Sequence, residues 1–100
     1  MMDIKIYSVR FDADVKLLDF VKSKVSKLVQ FNDGIIGAEV YLRIENSQDM
    51  ENKITEIKLD VPGNSLFAKK QGKTFEEATD LAVDALRIQA KRKKDKLRKN

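Results

Sequence analysis

In the last sixteen residues, ALRIQAKRKKDKLRKN, eight cations (Arg87, Lys91, Arg92, Lys93, Lys94, Lys96, Arg98 and Lys99) stand against one acid, Asp95. Side chains of this type at this density do one kind of chemistry: ammonium and guanidinium groups bind anions, and a row of them tracks a polyanion. The local net charge is +7 and that of the whole chain is +4, so residues 1–84 sum to −3. Charge segregated in this way implies a directed partner more than general solubility. A solvated helix end is the plainer reading of a basic run; the density of cations weighs against it.

Other chemistries find little to work with. Cysteine and histidine are both absent, which removes disulfides, thiolate and imidazole metal sites, and every catalytic triad with a histidine base. There is no glycine-rich phosphate loop, and the carboxylates show no acid/base arrangement. The expectation is a binding protein, not an enzyme, with no cofactor and no small-molecule substrate. No apolar run approaches the roughly 20 residues that span a bilayer, and the chain opens directly on the alternating DIKIYSV. A cytoplasmic, uncleaved protein without a membrane partner is expected.

The elements that must position the basic end can be read from periodicity. At 100 residues, one domain with one core is expected, spanning 1–100, with a basic helical end over about 87–100 that frays in isolation. DIKIYSVRF reads as a strand in which Tyr7 and Val9 break the phase of Ile4 and Ile6, which suggests a bulge. Leu17, Val21, Val25 and Leu28 form a helical stripe, widened by Leu18 and Val29, in a helix over about 14–31 capped from DAD. NDGIIG stops it. AEVYLRIE and KITEIKLDV then alternate as half-buried strands joined by NSQDMEN, with Ala38, Val40, Leu42 and Ile44 inward on the first. Val61-Pro62-Gly63-Asn64 has the residues of a type II turn, SLFAKKQ is a further strand, and Thr74 with Glu77 forms a capping box for a last helix.

Strand, helix, three strands, helix predicts an α+β fold, β-α-β-β-β-α. Its four-stranded sheet carries both helices on one face, the first helix crossing between parallel strands. On the last helix Phe75, Ala78, Ala82, Leu86 and Gln89 share a narrow arc, and Lys93 falls where the next core residue belongs, so the sheet ends near residue 90. Glu76, Glu77, Asp80 and Asp84 make the first half of that helix acidic, which confines phosphate contact to its distal half. Lys24 and Lys27, with Lys16, flank the first helix. Side-by-side helices would let Lys24 and Lys27 line a groove with Arg92 and Lys96; alone, the same lysines read as a solvated face. The outer sheet face, with Tyr41 among Glu39, Glu45, Glu56 and Asp60, lacks the stacked aromatics and positive field of a single-strand RNA platform.

Element order, length and the stretches FVKSKVSKL, AEVYLRIE, VPGN and KKDKLR together resemble the bacterial ribosome hibernation promoting factor family, also called the sigma-54 modulation or ribosome-associated inhibitor family. The resemblance covers nearly the whole chain. It implies a fold similar to double-stranded RNA-binding domains and a role in stressed or stationary cells. The partner it implies is the small ribosomal subunit, bound through its rRNA in the channel used by mRNA and tRNA, so that translation is blocked sterically. By position it carries the family's basic residues onto Lys24, Lys27, Arg92 and Lys96, with Gln89 also matching. The chain departs from the family pattern at Leu18, Ala85 and Ile88, where a basic residue is common, and Arg87 and Lys91 are placed to compensate from a neighbouring face. The length is that of the family's short form, and a monomer is expected when free.

Two other readings stay open at this level. One is a general double-stranded RNA-binding protein, and the other an interaction module whose basic helix docks an acidic protein.

Overall fold

The computed structural model describes residues 3–30, 34–45 and 50–98, without the side chains of Asn64 and 93–98. The elements are β1 (Asp3–Val9), α1 (Val15–Gln30), β2 (Gly37–Ile44), β3 (Lys53–Val61), β4 (Asn64–Gly72) and α2 (Phe75–Arg98). The order is the β-α-β-β-β-α expected from periodicity. The segment 31–33 after α1 and the segment 46–49 between β2 and β3 lie outside the described residues.

The strands form one sheet in the order β1-β2-β3-β4. β1 pairs parallel with β2, which requires α1 as the crossover, and β2-β3-β4 is an antiparallel meander. Strict alternation decides which face is buried. Ala38, Val40 and Leu42 of β2, Ile57, Leu59 and Val61 of β3, and Leu66 and Ala68 of β4 all point into the core. Two expectations fail here. The β1–β2 register runs without interruption from Asp3↔Gly37 to Val9↔Arg43, so β1 has no bulge: Tyr7 and Val9 simply occupy its outer face. Ile44 ends β2 beyond the reach of the helices and is 47% exposed.

Between β3 and β4 the hairpin turns on Pro62 and Gly63 alone, since Val61 pairs with Asn64. Gly63 has φ of +75°, the conformation that the third position of a type II turn demands and that a side chain disfavours.

Both helices pack on the inner sheet face. α1 starts where Asp14 Oδ1 accepts the Leu17 amide at 2.8 Å, and it buries Val21, Val25 and Leu28. α2 starts where Thr74 Oγ1 accepts the Glu77 amide at 3.0 Å. It buries Phe75, Ala78, Ala82, Val83, Leu86 and Ala90. Its alanines let the helix lie close to the sheet, while Phe75 stacks on Phe11 with ring centroids 5.0 Å apart. Beneath α2 the hydroxyls of Thr55 and Thr79 hydrogen-bond at 3.2 Å, both fully buried.

Phe11–Phe75 near the helix starts, and Lys24–Asp80 further along, occur in the same sense on both helices. The helices therefore run parallel and end on the same side of the sheet. The 24 residues of α2 rise about 36 Å at 1.5 Å per residue, most of the 48 Å long axis of the molecule.

Candidate nucleic-acid interface

A helix turns about 100° per residue, so Asp80, Arg87 and Lys91 lie within an arc of about 40° on α2. Asp80 fixes where that arc points, because its Oδ1 is 3.1 Å from Lys24 Nζ of α1. This flank of α2 therefore borders α1, and along it the charge changes sign: acidic at Asp80 and Asp84, basic at Arg87 and Lys91. Lys91 is exposed, and Arg87 is exposed while bound to Asp84 Oδ1 at 3.2 Å.

On the α1 side of the same boundary, Lys24 is half-exposed, and its ammonium lies 5.4 Å from the centre of the Phe20 ring. Packing against an aromatic face and a carboxylate fixes the direction of this cation. Lys27, in the last turn of α1, is exposed. Lys24 and Lys27 thus lie on α1, and Arg87 and Lys91 on the flank of α2 that meets α1 at Lys24–Asp80; from that contact α1 ends at Gln30 about 9 Å on, and Lys91 lies about 16 Å on, past the end of α1.

The expected pairing of Lys24 and Lys27 with Arg92 is not what the packing produces. Arg92 lies twelve residues beyond Asp80, about 18 Å along α2 and turned about 120° around it. That direction is the flank over the sheet edge. Gln89 belongs there too: its Nε2 donates to the Phe67 carbonyl of β4 at 2.9 Å. Gln89 therefore ties α2 to the edge strand and covers one of its open carbonyls, which also guards the edge against pairing. Lys96 follows Arg92 by one turn on the helical backbone, with its side chain outside the described residues. Among the candidate residues with described side chains, Arg87 and Lys91 lie on the flank of α2 towards α1, which carries Lys24 and Lys27, and Gln89 and Arg92 on the flank towards β4, a division that depends on where α1 and β4 sit.

The outer sheet face differs from expectation in one respect. Tyr7 and Tyr41 stack across β1 and β2 with centroids 5.1 Å apart. The surrounding charge remains mixed: the face also presents Lys5, Glu39, Lys58 and Asp60, together with an Arg43–Glu56 ion pair of 2.7 Å. Partial burial, followed by the nearby Glu39 carboxylate, pushes the Tyr41 hydroxyl above its ordinary pKa of 10.0. A hollow of about 370 Å³ between Asp3, Lys5, Gly37, Glu39 and Asp60 sets three carboxylates against one lysine, the wrong sign for phosphate. Among the described residues no helix is long and apolar enough to cross a membrane.

Comparison with known proteins adds a second line of observation. Residues 4–98 match the family model described as Sigma 54 modulation protein / S30EA ribosomal protein. A ribosome hibernation promoting factor from Klebsiella oxytoca is 30% identical over 99 residues, covering 99% of this chain and 100% of the relative. The crystal structure of the N-terminal domain of Thermus thermophilus Protein Y superposes with a TM-score of 0.74 at 27% identity, over 88% of this chain and 93% of that one. A ribosomal subunit interface protein from Coxiella burnetii shares the fold with a TM-score of 0.82 at 19% identity, over 94% and 99% of the two chains.

Proposed function

This chain belongs to the Sigma 54 modulation protein / S30EA ribosomal protein family, and from that premise we propose that it is a ribosome hibernation factor. It binds the small ribosomal subunit as a single domain, through rRNA phosphates in the channel used by mRNA and tRNA, and inhibits translation by occupying that space in stressed or stationary cells. Steric inhibition needs no catalytic group, and the cytoplasm is where such a partner is met.

The observation that carries this reading is the row of cations that Lys24 and Lys27 of α1 and Arg87 and Lys91 of α2 place on neighbouring flanks of two parallel helices. Two rows of cations on a rigid helical layer grip a folded RNA by phosphate position and shape, with little readout of base edges. Gln89 and Arg92 form a second group on the β4 flank of α2, with Lys96 one turn further along the helical backbone, and in this reading the bound RNA is contacted on both sides of that helix.

Co-sedimentation of the purified protein with small subunits and whole ribosomes, across a salt series and with duplex RNA as competitor, tests the proposal. Near-stoichiometric binding that duplex RNA does not displace is expected, weakening with salt by about 0.7–0.9 in log-log slope per phosphate contact. Binding removed by the duplex would instead identify a general double-stranded RNA-binding protein, and association that survives nuclease treatment an acidic protein partner. Arg92→Glu with Lys96→Glu should abolish subunit binding in a folded protein; wild-type affinity in that variant would remove the β4 flank from the site.

A further inference from the structure

We infer that Asp80 and Asp84 are selectivity determinants: built-in carboxylates that hold Lys24 and Arg87 against phosphates arriving in the wrong geometry. The inference rests on the ribosomal reading of this helical flank, and it concerns which RNAs the flank refuses.

Each of these two cations carries its own counter-anion. Lys24 Nζ lies 3.1 Å from Asp80 Oδ1, and Arg87 Nη1 lies 3.2 Å from Asp84 Oδ1. Both carboxylates come from the same half of α2, and both are at least half exposed, with side-chain accessibilities of 51% and 64%. Ion pairs this exposed contribute little to holding the fold together, so their consequence falls mainly on what approaches from outside. A phosphate reaching Lys24 meets Asp80 within the same few ångströms, where like charges repel.

The arrangement treats two kinds of RNA differently. A regular duplex offers evenly spaced phosphates and binds through long-range attraction, to which a cation already neutralised contributes little. A folded RNA of matching shape can set its phosphates at Lys27 and Lys91, exposed cations outside the two ion pairs, and draw Lys24 or Arg87 away from its partner only where the geometry allows. Carboxylates here thus subtract more from the wrong target than from the right one, which is how specificity is raised without added affinity.

The direct test compares wild type with Asp80→Asn and Asp84→Asn, alone and together, for binding to a generic RNA duplex and to small ribosomal subunits across a salt series. Glu45→Gln makes the same change in net charge at the far end of β2 and serves as control. Thermal melts verify that each variant is folded. Duplex binding is expected to gain about 0.9 in salt slope for each cation released, or about 3.5-fold extra affinity per cation over a fourfold dilution of salt. Subunit binding should gain less, so the preference for subunits narrows. An unchanged duplex slope in the folded double variant would overturn the inference. So would an equal gain on both targets, or an equal gain from Glu45→Gln. Absence of wild-type binding to subunits would fail the ribosomal reading itself, a result separate from how the aspartate variants behave on duplex RNA.

Discussion

Thr55 of β3 and Thr79 of α2 share a hydrogen bond of 3.2 Å with neither side chain reaching solvent. This polar contact lies in a layer otherwise built from aliphatic and aromatic groups, and it joins the sheet to the helix that carries the basic end. A buried hydroxyl that loses its partner costs about 1–3 kcal/mol, whereas replacing both partners by apolar groups of the same shape can be nearly neutral. Thr55→Val or Thr79→Val alone should therefore destabilise the protein by about 1–3 kcal/mol, and the double variant by less than the sum. Urea unfolding of the four proteins measures the coupling directly.

Gly63 sets the β3–β4 hairpin. With φ at +75°, Gly63→Ala should cost about 1–2 kcal/mol, the penalty of left-handed backbone for a residue with a Cβ. Gly63→Asn should cost less, because asparagine visits that region more readily. The urea midpoints of the two variants give the order, and a Gly63→Ala protein as stable as wild type would contradict the turn assignment.

Arg87 and Lys91 lie on the flank of α2 that meets α1 at Asp80. Neutralising either to Gln should weaken subunit binding and reduce the salt slope by about 0.7–0.9, one phosphate contact each. The double variant should lose both increments with its melting temperature little changed, since neither side chain is buried. A slope identical to wild type would move the RNA to another surface.

Tyr41 offers a readout that depends on pH. Its pKa lies above 10.0 because of partial burial and then the neighbouring Glu39, so the folded state holds the proton more tightly than the unfolded chain. The stability this gives is fully present below about pH 10, and it is lost as pH rises from there through the folded-state value. In Tyr7→Phe, where Tyr41 is the remaining tyrosine of the two in the chain, tyrosinate absorbance should appear at higher pH in the native protein than in urea. Glu39→Gln should bring the native midpoint closer to the unfolded one.

Most of the fold was legible in local pattern. The alternation of AEVYLRIE and KITEIKLDV, the Pro-Gly turn, and the caps at Asp14 and Thr74 each depend on contacts within a few residues, and a sequence displays these openly. The site was harder to read. Lys24 was recognisable as a cation on the flank of α1, but its partner Asp80 is 56 positions away and is chosen by the parallel packing of two helices. Gln89 could be placed on the core-facing arc, yet its bond to the Phe67 carbonyl depends on β4 being an edge. Tyr7 suggested a bulge because an aromatic residue on an outer face looks out of phase until Tyr41 is known to stand beside it. Ile54 is 2% exposed although it lies on the outer face, where the paired strands set it between Arg43 and Gln71.

Ala90 is the last buried residue of α2 among the described side chains, and the helical backbone continues to Arg98. The inner part of this helix is held by the sheet, and the described side chains beyond Ala90, Lys91 and Arg92, are both exposed. Such an overhang acts as a ruler. Inserting or deleting four residues after Ala90 would shift the terminal charges by about 6 Å while turning them only about 40°. Helix length alone would thus set how far the terminal cations stand from the last buried residue, with little change in the direction they face.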